Sequence, residues 1–148
     1  MGGMPAGVLV FGAAFALLLA SGTHLMAVDP HAGHHHDNMM ALGTVTLGSI
    51  TAKVEGAGVP VVGRGWHVSV DVPVGTPAPK AIRVWVGIES GRGSEKAKAE
   101  PETNHPGGHA THVNVPAPLP EGSKLWVSLE NAAGEITTTS VALPVAKK

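Results

Sequence analysis

Residues 65–72 read Gly-Trp-His-Val-Ser-Val-Asp-Val, and they decide the fold class. Trp66, Val68, Val70 and Val72 alternate with His67, Ser69 and Asp71, so an extended chain carries all of its apolar side chains on one face and its polar ones on the other. A strand that is wet on one face belongs in an antiparallel sheet. The same short alternating runs recur on both sides of it. Strands are predicted over 43–47, 49–55, 65–72, 80–89, 110–115, 124–130 and 135–143, separated by turn chemistry such as Asn131-Ala-Ala-Gly134 and Pro120-Glu-Gly-Ser123. No long amphipathic helical period interrupts them, so residues 43–148 are expected to form an all-β, antiparallel sandwich of about seven strands.

Two of these strands carry a puzzle. Ile82, Val84, Val86 and Ile88 form one face of their strand and Leu125, Val127 and Leu129 one face of another, which turns Trp85 and Trp126 to the opposite side. Either the two indoles are covered by each other, by a loop or by a lysine stem, or they form an aromatic contact surface for a partner. The segment from Ser90 to Gly108 is too polar for a core element and longer than most connections, so it reads as a loop; Gly93 and Pro101 confine any helical turn over Lys96–Glu100.

Ahead of the domain, no charged side chain occurs from Met1 to Thr23, and Val8–Ala20 is a 13-residue apolar run. That is the length of a signal-peptide core and short for a bilayer span. Residues 1–27 are therefore read as a signal peptide, cut after Gly22 or Ala27, or as an uncleaved N-terminal anchor helix. Both alternatives carry the remainder out of the cytoplasm, to the periplasm or beyond, with membrane contact only through an uncleaved N-terminus. The chain contains no cysteine, which excludes disulfides, thiolate metal sites and thiol catalysis, and fits a bacterial envelope better than an animal secretory pathway.

Ten Lys+Arg against 11 Asp+Glu, with no basic run, exclude a nucleic-acid binder. The nine histidines are the unusual feature of the composition. Residues 28–42 have neither helical nor strand period and read as a flexible arm. Within it His31, His34, His35, His36, Asp37, Met39 and Met40 gather imidazole, carboxylate and thioether inside ten positions. Imidazole suits Cu(II), Zn and Ni, and thioether suits Cu(I), so the mixture favours copper, then zinc or nickel; a solvated polar arm is the plainer reading. His105, His109 and His112 form a second group that can offer three nitrogens to one ion, with His67 completing it if the two strands adjoin. Surface histidines in a glycine-rich turn are the alternative there.

Nothing in the chain pairs a nucleophile with a base. GxSxG, HExxH and a phosphate loop are missing and the carboxylates are scattered, so an enzyme is not expected. The run AIRVWVGIESGRGSEKAKAE (81–100) and the later HATHVNVPAPLPEGSKLWVSLENAAGE (109–135) resemble the small exported immunoglobulin-like domains of the YtkA-like and FixH-like group, over about Gly43 to Val145. The resemblance implies an immunoglobulin-like sandwich acting as a periplasmic binding or accessory module, in some members associated with copper handling. Copper carriers of the CopC type are also small exported β-sandwiches, with a histidine at the mature N-terminus among the ligands; neither cleavage point here leaves His24 first. The expectation is a non-enzymatic protein that sequesters or delivers a transition metal, or an accessory domain that binds an envelope protein through Trp85 and Trp126.

Overall fold

The structure is a computed structural model and describes residues 38–146. Eight strands follow one another: β1 (Met39–Leu47), β2 (Ile50–Ala57), β3 (Gly65–Asp71), β4 (Ala81–Gly87), β5 (Ala97–Pro101), β6 (Gly108–Asn114), β7 (Lys124–Glu130) and β8 (Ile136–Val141). All pairings are antiparallel, in the order β1-β2-β3-β6-β5-β4-β7-β8, and β1 also lies against β8, so the sheet nearly closes on itself. β4, β5 and β6 are joined by hairpins and β3 returns beside β6, a Greek-key arrangement.

The alternation read from the sequence builds the core. Val54 of β2, Trp66, Val68 and Val70 of β3, Ile82, Val84 and Val86 of β4, Val113 of β6 and Leu125, Val127 and Leu129 of β7 are all buried in one cluster. Trp66 closes one end of it and donates its indole N–H to the carbonyls of Ala57 and Gly58, at 3.1 and 3.2 Å. The Asn131 turn forms as expected: Asn131 Oδ1 accepts the backbone N–H groups of Ala133 and Glu135.

Three expectations are corrected. The sheet has eight strands, because β5 runs through the segment taken for a loop; it turns only Ala99 inward, while Lys98 and Glu100 face out and pair with each other at 3.0 Å. Five residues with one small apolar side chain facing inward carry little β signal. β1 starts at Met39 rather than Gly43, so Met39 and Met40 belong to the sheet instead of an arm. A register shift between Ala41 and Gly43 leaves Leu42 as an extra residue, and that shift hides the strand from a period-two reading. β4 ends at Gly87, so Ile88 is exposed instead of continuing the core face.

Candidate metal centre

β3 and β6 are neighbours, and their register places His67 directly opposite His112. Residues paired across an antiparallel ladder point to the same face. The face shared by His67 and His112 is the outward one, since Trp66, Val68 and Val113 fill the core side. The two imidazole rings lie 4.9 Å apart between centroids, tilted by 54°. On the next strand Ala57 follows Gly56, the partner of Val68, and so shares this outward face; Ala57 in turn pairs with Met39. Met39, Ala57, His67 and His112 therefore line one end of the outward face, with a small side chain separating the thioether from the imidazoles.

Two steps of the pleat along β3, the same face carries a second group. Asp71 pairs with Gly108, and the chain between β5 and β6 folds over it. His105 Nε2 lies 3.6 Å from Asp71 Oδ2, and His105 Nδ1 lies 3.5 Å from Glu102 Oε2. Among the described residues these three make up the group whose metal-ligating atoms all lie within 4.8 Å of one another. Ser69, 2% exposed, donates its hydroxyl to the other carboxylate oxygen of Asp71 at 3.2 Å.

The expected trio of His105, His109 and His112 is divided among three places. His112 sits with His67, and His105 sits with Asp71 and Glu102. His109 pairs with Val70 and takes the core-side parity. Its ring lines a recess with Ile82, Ala99 and Pro101, and its Nδ1 is 3.1 Å from the Gly107 carbonyl oxygen. Closeness in sequence does not survive a strand, because neighbouring positions face opposite ways. His31, His34, His35, His36 and Asp37 lie outside the described residues, as does the export segment. Asp71 and Glu102 are the site residues that sequence reading missed. Asp71 was visible on the polar face of its strand, but its meeting with Glu102 depends on β5, which was not.

Trp85 is 1% exposed and leaves a partner almost no surface. Its ring stacks on Trp126 at 6.4 Å and 15°, and Lys96 Nζ lies 4.3 Å above it. Both indoles donate to the end of β4, Trp85 to the carbonyl of Ile88 and Trp126 to that of Gly87, each at 2.9 Å. The covered pair thus describes their geometry. Exposed apolar surface gathers elsewhere, at Val59, Val61 and Val62, beside a groove lined by Pro60, Leu119, Pro120, Leu143 and Val145.

No family model, curated protein or solved structure matches the chain.

Proposed function

We propose that this is a non-enzymatic transition-metal protein of the periplasm that sequesters or delivers its ion, copper before zinc or nickel, using the His67–His112 pair together with the histidine tract. One observation carries the reading: the register sets two imidazoles 4.9 Å apart on an open face. Two imidazole nitrogens suit copper, zinc or nickel, and water or a carboxylate completes the set for Cu(II).

The immunoglobulin-like class is part of the proposal, supported by the antiparallel Greek key and by the sequence resemblance over Gly43 to Val145. Export rests on the uncharged apolar run at residues 8–20. Among the described residues no helix is long and apolar enough to cross a membrane.

The test is titration of the full chain with Cu(I), under anaerobic reducing conditions, and with Cu(II), beside the variant His67→Ala/His112→Ala. The variant is expected to lose the tighter class of sites while the tract retains a weaker one; an unchanged isotherm refutes a role for the pair. The second reading, an accessory domain for an envelope protein, is favoured by the exposed valines and the adjoining groove rather than by the tryptophans. Partner binding that survives chelation separates it from the first.

A further inference from the structure

We propose that Asp71, Glu102 and His105 form a second cation site, distinct from the His67–His112 pair, that takes a divalent ion of borderline hardness such as zinc. The donors are two carboxylates and one imidazole with no thioether, a set that suits Zn(II) or Mn(II) and rejects Cu(I). Zinc bonds of about 2.0–2.2 Å place tetrahedral ligands roughly 3.3–3.6 Å apart. One ion can use only one ring nitrogen of His105, so one imidazole–carboxylate contact, 3.5 Å from Nδ1 or 3.6 Å from Nε2, already has that spacing, and the other carboxylate, in a donor set that lies within 4.8 Å, needs to close by about an ångström.

Three features show that these ligands are held in place. Each carboxylate side chain is only 18% exposed, so both are packed against the protein rather than extended into water. The buried Ser69 hydroxyl fixes one oxygen of Asp71 and leaves the other facing His105, the outer-shell support that orients a ligating carboxylate. Pro106-Gly107-Gly108 then brings the loop down onto the sheet. The Glu102 N–H donates to the Gly108 carbonyl, the Gly108 N–H to that of His105 and the Val72 N–H to that of Gly107, each at 2.9 Å. Glycine is required by space at the last two positions. A Cβ on Gly107 would stand 2.2 Å from the Val72 carbonyl oxygen, and one on Gly108 would stand 2.7 Å from Glu102 Oε2 and 2.9 Å from His105 Cγ. The ligands therefore rest directly on the Gly108 backbone, and little ordering remains to oppose binding. Because Asp71 ends β3, Glu102 follows β5 and His105 lies in the loop, a bound ion ties the long connection to the sheet.

The experiment uses the full chain with His31, His34, His35 and His36 changed to Ala, so that the tract takes up no metal. Zinc is titrated calorimetrically, and the melting temperature is followed with and without zinc. One stoichiometric zinc site is expected, raising the melting temperature. Binding should weaken more than about 100-fold in His105→Ala, since even outer partners of a ligand are worth about 10–100-fold. It should weaken likewise in Gly108→Ala and Glu102→Gln, whose folding is checked by their metal-free melting curves, and it should persist in His67→Ala/His112→Ala. Zinc binding unchanged by all three site variants, or no stoichiometric zinc in the parent, overturns the proposal and leaves the trio as an ion-pair clasp. Loss of Cu(I) binding in the His67/His112 variant is a separate readout, so either site can fail alone.

Discussion

Gly56→Ala tests how tightly the core end beside the histidine pair is determined. Gly56 sits in β2 with its missing side chain aimed at Trp66. A Cβ there would lie 2.4 Å from Trp66 Cζ2, 3.0 Å from Cε2 and 3.2 Å from Leu42 Cδ1. Carbon contacts are comfortable at about 3.5–4.0 Å, so the indole has to retreat by about an ångström from a pocket in which it is 3% exposed. Overpacking of this kind costs about 1–3 kcal/mol, and weakening the bond from Nε1 to Ala57 and Gly58 adds about 0.5–1.5 kcal/mol. Replacing glycine in a strand returns about 0.5–1 kcal/mol. The net expectation is a loss of about 1–3 kcal/mol, measured by urea denaturation followed by circular dichroism. Phe lacks the fused ring that carries Cζ2, so in a Trp66→Phe background the same change should be neutral or stabilising, and the double-mutant cycle reports the coupling. Equal losses in both backgrounds would show that the glycine is needed for something other than the indole.

Trp85→Ala should act as a core deletion, lowering stability by about 3–5 kcal/mol, which is a large share of the roughly 5–15 kcal/mol available to a domain; a variant that melts with the parent would return Trp85 to the role of a contact residue. Glu130 holds Lys80 at 2.9 Å and Arg83 at 3.7 Å, and the hydrogen bond from Lys80 is the main cause that holds its carboxyl below the ordinary value of 4.5, against a smaller upward push from burial. A pKa lowered on folding contributes stability above the unfolded value that fades as pH falls through the folded one. Glu130→Gln should therefore melt below the parent at neutral pH, with the gap closing below pH 4.5; a gap that persists in acid would assign the loss to packing.

What was legible in the sequence was the part governed by period two. Trp66 to Val72, Ile82 to Val86 and Leu125 to Leu129 announced their core faces, because burial selects apolar side chains at alternate positions, over seven residues in the first and five in the other two. β5 was not legible. It lies between β6 and β4, yet it contributes only Ala99 to the core, and Lys98, Glu100 and Pro101 make it look like a surface loop. The tryptophans were legible only as a choice, since alternation says which side Trp85 faces and not what the residues after Gly87 do; the chain doubles back and sets Lys96 over the ring. The candidate site was half legible for the same reason. His67 and His112 were visible as outward residues, but whether they meet depends on which strands adjoin, a matter of topology that no local pattern encodes.

Register is what joins fold to function here. The core fixes β3 against β6 through Trp66–Val113 and the valines beyond, and a slip by one residue would turn those side chains to water and drive His67 and Asp71 inward. The pressure that secures the core therefore also secures the opposition of His67 to His112 and of Asp71 to Gly108. Between the two groups lies the Ser69–Ala110 pair, where a buried hydroxyl turns toward Asp71 and a methyl group offers no ligand. Four residues along a strand separate them by about 13 Å, more than the Debye length of about 8 Å at physiological salt. Two cations held there would repel each other weakly. The two proposed sites can accordingly be filled together, and the ion at Asp71 would tie the connection leading into β6 to the end of β3, the strand that carries His67.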